Sequence, residues 1–64
     1  MKKVFCIDAL VDGDYVHEEY CDTLDEAKER ARAICRTSKT DVRVAEGDPE
    51  TLTVDTLRSL HFAT

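Results

Sequence analysis

The stretch KVFCIDALVDGDYVHEEYC, residues 3–21, decides the fold because it predicts a β-hairpin. Apolar side chains recur at every second position of residues 3–11, which is the period of a β-strand. Asp12 and Gly13 then form the strongest short hairpin signal, since a tight turn of this kind requires positive φ at its centre. Residues 14–21 supply the second strand.

The length of the turn sets the register of this hairpin. With a two-residue loop, Phe5 faces Tyr20 and Ala9 faces Val16. A slip by one residue, which would place Cys21 opposite Phe5, is the alternative. The hydrophobic pattern favours the first register, because a slip moves every side chain of one strand to the other face.

A helix is predicted to follow the hairpin, from about residue 24 to about residue 36. Thr23 and Glu26 have the spacing of a capping box, in which each side chain binds the backbone amide of the other residue. Acidic residues at the start and arginines at the end of this segment complement the helix dipole. The apolar stripe, which should face the sheet, consists of Leu24, Ala27, Ala31 and Ile34, with Cys35 at its edge.

The remaining chain predicts a third strand and one ambiguous element. Residues 37–40 form a polar break, and residues 41–46 alternate, with Val42 and Val44 facing inward. Gly47-Asp48-Pro49 predicts a turn. Residues 53–61 fit either a short helix or a fourth strand. A threonine cap at Thr53, with Leu57 and Leu60 on one side, favours the helix, whereas alternating Leu52, Val54 and Thr56 favour the strand.

These elements predict one α+β domain over residues 1–64, with the order β-β-α-β and a short C-terminal helix or fourth strand. The helix should pack on one face of an antiparallel sheet. A chain of 64 residues with 42% hydrophobic content has enough material for one thin core. It lacks room for a deep substrate pocket as well, which argues against a self-contained enzyme.

Charge is unevenly distributed along a chain whose net charge is −5. Residues 1–27 carry eight carboxylates and two lysines, residues 28–43 carry six basic and two acidic residues, and residues 44–64 are acidic again. This distribution favours a basic partner and argues against direct binding of nucleic acid. Without a signal-peptide pattern or a membrane span, we expect a cytoplasmic protein that does not contact membranes.

Three cysteines and two histidines are the soft metal ligands of the chain. They lack the closely spaced pairs of small zinc domains, so we expect no metal and no cofactor. In the favoured register Cys6 and Cys21 lie diagonally on one sheet face, about 7–8 Å apart, which is too far for a disulfide. Free, buried, non-catalytic thiols are the expectation.

Other arrangements suggest chemistry only weakly. Asp8 faces His17 across the hairpin and would orient a general base, but a cross-strand charge pair is the simpler interpretation. Asp12-Gly13-Asp14 resembles a fragment of a calcium loop that lacks its distal glutamate. We therefore expect no catalytic residues and no enzymatic activity.

Two groups of charged residues are candidates for binding a partner. The hairpin carboxylates would face a basic protein surface and would speed its association. Helical cations, with Lys39 and Arg43 nearby, would form an alternative basic patch for an acidic partner. The first group is Asp12, Asp14, Glu18, Glu19 and Asp22; the second is Arg30, Arg32 and Arg36.

The leading functional hypothesis is a non-enzymatic, acidic protein-binding module. The order β-β-α-β with a final element resembles small phage and mobile-element proteins, including some anti-CRISPR inhibitors. That architectural resemblance implies an inhibitor of a nucleic-acid-handling complex, but it transfers no functional residues. The alternatives are a self-associating structural domain that forms a homodimer, and a cysteine/histidine metal-binding module.

Overall fold

The computed structural model describes residues 3–48, 50 and 53–63, which form one antiparallel sheet with a helix on one face. The predicted α+β class is confirmed. The spatial order of the strands is β2-β1-β3-β4. The elements are β1 (Val4–Val11), β2 (Asp14–Cys21), α1 (Leu24–Ser38), β3 (Val42–Asp48) and β4 (Thr53–Phe62).

The hairpin turn has the predicted conformation. Asp12 has φ 51° and Gly13 has φ 88°, so both central residues lie in the left-handed region. That combination matches the right-handed twist of the two strands. Near the turn the predicted register is confirmed, with Ala9 opposite Val16.

A β-bulge changes the register farther from the turn. Asp8 pairs with His17 but Ile7 pairs with Glu19, so Glu18 is the extra residue on β2. The expected pairing of Phe5 with Tyr20 is therefore wrong, and Phe5 lies opposite Cys21. The physical reason is packing: a regular ladder would place the large Tyr20 beside Phe5 on the helix side, whereas the bulge puts the small, buried Cys21 there and leaves Tyr20 64% exposed.

The capping prediction for α1 is confirmed on the side of Thr23. Thr23 is extended, with φ −123° and ψ 153°, and its hydroxyl accepts a hydrogen bond from the Glu26 amide at 3.2 Å. The helix ends at Ser38, two residues later than expected, and Lys39 closes it in the left-handed region with φ 53°. Beyond it, the Thr40 hydroxyl donates to the Leu10 carbonyl at 2.6 Å and ties the connection to β1.

The third strand lies where it was expected, although it ends later. Val42 and Val44 are buried as predicted. Gly47 and Asp48 belong to β3 rather than to a turn, and the Asp48 carboxylate accepts a hydrogen bond from the Glu50 amide at 2.9 Å. This contact is typical of an aspartate that begins a turn. Pro49 lies outside the described residues.

The C-terminal element is a strand, so the preference for a short helix is wrong. β4 pairs antiparallel with β3, with Leu60 opposite Val44 and Phe62 opposite Val42. A helix here would have left the outer backbone groups of β3 without partners, and pairing of those groups outweighs the local capping signal. The side chains of Thr53 and Leu57, on which the helix prediction relied, lie outside the described residues.

The core is thin and built from small side chains. Ala27 and Ala31 are fully buried, so the helix backbone approaches the sheet closely. Leu24, predicted to be part of the stripe, is 37% exposed at its margin, whereas Cys35 is buried inside it. The core residues are Ile7, Ala9, Cys21, Ala27, Ala31, Cys35, Val42 and Val44, with Phe5, Ile34 and Phe62 packed against them.

Ala31→Glu should unfold the domain. The new carboxylate would lie between helix and sheet without a partner, and such burial costs several kcal/mol, comparable to the whole stability of a domain of this size. Circular dichroism against temperature measures the effect. Ala33→Glu, the same change at a half-exposed position, is the matched control. Equal melting curves for the two variants would show that the stripe does not face the sheet.

Candidate protein-binding surface

The face of the sheet opposite α1, called the open face below, carries polar and aromatic side chains. The strand pairings place Asp8 beside both His17 and Arg43, and Leu10 beside Tyr15. α1 packs on the other face, so this surface is available to a partner. Its residues are Cys6, Asp8, Leu10, Tyr15, His17, Tyr20, Arg43, Ala45, Ser59 and His61.

Asp8 is the centre of the open face. It is 7% exposed, and its Oδ2 accepts hydrogen bonds from Arg43 Nε at 3.3 Å and Nη2 at 2.9 Å. Its Oδ1 lies 3.4 Å from His17 Nδ1. The expected approach of Asp8 and His17 is thus confirmed, and Arg43 is a partner that the sequence did not reveal. A buried carboxylate requires such pairing, because its desolvation is costly.

Aromatic rings extend this charged centre toward both edges of the sheet. The Arg43 guanidinium lies 4.3 Å from the centroid of the Tyr15 ring. The Tyr15 hydroxyl is 3.5 Å from His61 Nδ1 on β4. On the other side, the His17 and Tyr20 ring centroids are 4.1 Å apart. Side chains of all four strands therefore form one connected layer.

Ser59 and His61 meet in an arrangement that differs from a hydrolytic triad. Ser59 Oγ lies 3.1 Å from His61 Nε2, but the other ring nitrogen faces the Tyr15 hydroxyl. A neutral phenol does not stabilise a protonated imidazole as a carboxylate does. Asp8, the buried carboxylate of this face, is paired with His17 and Arg43 instead. The layer therefore supports side-chain rigidity better than nucleophilic catalysis.

The three cysteines are free and buried, as expected. The expectation that Cys6 and Cys21 share a sheet face is wrong, because the bulge turns Cys21 into the core while Cys6 stays on the open face. Burial raises the pKa of the Cys6 thiol, and the Asp8 carboxylate raises it further. Burial also raises the pKa of Cys21, with Glu26 adding to the effect. Protonated thiols are poor nucleophiles and poor metal ligands.

No metal-binding cluster and no membrane-spanning helix occur in the part of the chain that the structure describes. Within residues 3–48, 50 and 53–63, no three histidine, cysteine, aspartate or glutamate side chains are placed to hold an ion. In the same residues, no helix has both the length and the apolar character to cross a bilayer.

The five hairpin carboxylates follow β2 rather than forming one cluster. Asp14 is the first residue of β2 and Asp22 follows its last residue, so they lie about 26 Å apart along the strand. Asp12 lies in the turn, and Glu18 is exposed in the bulge. Glu19 lies on the helix side, where Arg30 donates to its two oxygens at 2.6 and 3.1 Å. Because of those hydrogen bonds, the pKa of the Glu19 carboxyl is lowered.

The expected basic patch is divided among three places. Arg43 belongs to the open face, and Arg30 is occupied by Glu19 at the β2 flank of the helix. Arg32, Arg36 and Lys39 lie together on the β4 flank of the helix. Pairing across the sheet and the direction of each helix position decide this division, and charge along the sequence does not reveal it.

No family model, curated protein or solved structure matches the chain, so its surfaces are the basis for any functional assignment.

Asp8→Ala should destabilise the domain by about 2–3 kcal/mol, because it leaves the largely buried Arg43 without its carboxylate partner. Urea denaturation midpoints measure the loss. Asp14→Ala removes an exposed carboxylate from the adjacent strand and should change stability by less than about 0.5 kcal/mol. Equal midpoints for the two variants would show that the Asp8–Arg43 pair does not hold the open face.

The native thiols should react with iodoacetamide at least about tenfold more slowly at pH 8 than the same protein in urea, because raised pKa values keep Cys6 and Cys21 protonated. The contribution of the protonated thiols to the free energy of unfolding is fully present at neutral pH. It declines as pH rises beyond the ordinary thiol value of 9.0 and through the folded-state pKa. Mass spectrometry of quenched samples gives the rates; equal rates in both conditions contradict burial of the thiols.

Proposed function

We propose that the chain is a non-enzymatic protein-binding module that contacts its partner through the open face. The observation that carries the proposal is Tyr20, which is 64% exposed on a sheet face that α1 leaves uncovered. Tyrosine and arginine are enriched among the residues that dominate protein–protein binding energy. Tyr15, Tyr20 and Arg43 lie on this one face.

The rigidity of the open face favours binding. Arg43 is held by Asp8 on one side and by the Tyr15 ring on the other. His17 packs against the Tyr20 ring and contacts Asp8. Side chains that are ordered before binding lose little conformational entropy on binding, which leaves more of the contact energy as affinity.

The charge of the β2 edge favours a partner with a basic surface. Asp14 and Glu18 are exposed along this edge, next to the open face. Carboxylates at the rim of an interface mainly accelerate association with a positively charged partner. In an inhibitor of a nucleic-acid-handling complex, the role implied by the architectural resemblance, this carboxylate row would occupy a groove that otherwise holds phosphates. Glu19 contributes less, because Arg30 already pairs with it.

Self-association through the same face is the second candidate, favoured by the same exposed aromatic side chains. A homodimer would pair two copies of Tyr20 and His17 around a two-fold axis, as closed dimers do. The carboxylates along the β2 edges of the two copies would then come close to each other at the interface, and their repulsion costs binding energy. Charge therefore favours a different, basic protein.

The experiment compares four proteins in capture from source lysate, followed by binding kinetics with the protein captured. They are the wild type, Tyr20→Ala, the double variant Asp14→Lys with Glu18→Lys, and the control Glu29→Lys. Tyr20→Ala should weaken binding at least about tenfold, as expected for a central aromatic anchor. The double variant should slow association and reduce its dependence on salt. Glu29→Lys, on the exposed side of the helix, should behave as the wild type.

Two results would contradict the proposal. Unchanged binding by both Tyr20→Ala and the double variant would exclude the open face and the β2 edge as the contact. A mass that rises with protein concentration in sedimentation, and that Tyr20→Ala returns to the monomer, would assign the face to a homodimer.

A further inference from the structure

A cationic groove lies between the C-terminal half of α1 and the end of β4. Its volume is about 690 Å³, and the side chains of Arg32, Arg36 and Lys39 line one side. Cys35 and Phe62 form its floor, and the Cys35 thiol donates to the Phe62 carbonyl at 3.6 Å. No carboxylate lies among the lining residues that the structure describes. Three cations without a carboxylate are unexpected in a chain with net charge −5.

A second, largely apolar crevice of about 240 Å³ lies between the first turn of the helix and the sheet. Leu24 contributes from the first turn of α1 and Leu60 from β4, and they are 37% and 39% exposed. Phe5, Val44 and Glu46 complete its lining, and the Glu46 carboxylate is paired with Lys3 at 2.8 Å. The β4 flank of α1 is therefore incompletely filled, with four apolar side chains and the lysine-paired Glu46 toward the helix N-terminus and cations toward its C-terminus.

β4 borders this flank as the outermost strand of the sheet. One side of its backbone pairs with β3, with a register shift between Val44, which pairs with Leu60, and Glu46, which pairs with Asp55; the other side forms no part of the sheet ladder. Residues 60–62, beyond that shift, are the part of this edge that borders the groove and the crevice. The outward amide and carbonyl groups of an edge strand are a template for pairing with an extended segment of another chain. Every second side chain of such a segment would point toward the groove, because strand side chains alternate between the two faces.

We propose that the β4 flank binds an extended acidic segment of another protein, which adds to β4 as a fifth strand. Its carboxylates contact Arg32, Arg36 and Lys39, and an apolar side chain packs against Leu24 and Leu60. Arginine supplies the main recognition, since its planar guanidinium binds a carboxylate through two hydrogen bonds. Arg32 lies with its guanidinium 5.8 Å from the Phe62 ring centroid, which places the cation at the edge of the groove.

The charge distribution of the domain favours a peptide over a nucleic acid as the occupant of the groove. A nucleic acid carries phosphates well beyond the groove, and the acidic remainder of the domain would repel them. A short acidic peptide places its carboxylates only where the three cations are. This surface lies on the helix side of the sheet and meets the open face only at His61, which lines both, so it adds a second binding site to the proposed function and does not depend on it.

The test is fluorescence anisotropy with a labelled peptide of about eight residues whose alternate positions share one face: those positions are glutamate in one half of the peptide and valine in the other half, with threonine between them. Wild-type protein should bind this peptide, and binding should weaken as salt rises. Arg32→Gln and Arg36→Gln should each weaken binding by about threefold or more, and the double variant by about tenfold. Arg30→Gln is the matched control, since it removes the same charge from the other flank of the same helix.

Two further probes separate pairing along the strand from attraction by charge alone. The same peptide with N-methylated backbone amides keeps its carboxylates but cannot donate hydrogen bonds to β4, and it should bind at least about tenfold more weakly. A single-stranded DNA of similar length tests the other class of polyanion and should not compete. Tyr20→Ala, which disrupts the open face, should bind the peptide as the wild type does.

Several outcomes would overturn the proposal. Equal binding of the methylated and unmethylated peptides would mean that no strand is added. Equal losses in Arg30→Gln and Arg36→Gln would mean that the groove is not the site. Competition by the DNA would assign the groove to nucleic acid. Self-association of the chain alone, abolished in the Arg32→Gln, Arg36→Gln double variant, would make a second copy the occupant.

Discussion

The number of strands that one helix can cover determines the surfaces of this domain. α1 has 15 residues, so it is about 22 Å long and about 10 Å wide, whereas the outer strands of a four-stranded sheet lie about 14 Å apart. Because Ala27 and Ala31 bring the helix close to the sheet, it contacts β1 and β3 most and the two outer strands least. One whole face of the sheet and one flank of the helix therefore remain uncovered.

Local sequence signals predicted most of the elements. The left-handed pair Asp12 and Gly13, the cap at Thr23 and the inward valines of β3 all depend on residues close in sequence. The bulge at Glu18 does not follow from the hairpin pattern, because it reflects the burial of Cys21 beneath a helix that comes later in the chain. Local pattern alone identifies the hairpin but not the residue at which its register changes.

The last strand illustrates how tertiary pairing overrides a local preference. The threonine cap and the leucine spacing favour a helix over residues 53–61, and nothing nearby in sequence argues decisively against it. The outer edge of β3 decides the outcome, since its backbone groups require partners and β4 supplies them. For the same reason the Asp8–His17 contact was predictable within the hairpin, whereas Arg43, Tyr15 and His61 join it only through β3 and β4.

Internal ion pairs simplify the charge pattern of the folded domain. Glu19 pairs with Arg30, so one residue of each candidate binding group is neutralised within the domain. Asp8 and Arg43 likewise neutralise each other on the open face. Among the exposed charges that remain, Asp14 and Glu18 lie along the β2 edge, and Arg32, Arg36 and Lys39 lie along the β4 flank of the helix. These two groups of opposite charge can orient charged partners as they approach.

Attraction between the β2 carboxylates and the β4-flank cations would favour edge-to-edge pairing of copies, with β2 of one copy against β4 of the next. Such contacts do not close on themselves and would extend into a filament. The bulge at Glu18 interrupts the regular spacing of backbone groups on β2 and increases its local twist, and both changes oppose continuous pairing. The bulge that turns Cys21 into the core thereby also protects the β2 edge. β4 has a register shift of its own, between the partners of Val44 and Glu46, so regular pairing along its outer edge is confined to short runs such as residues 60–62.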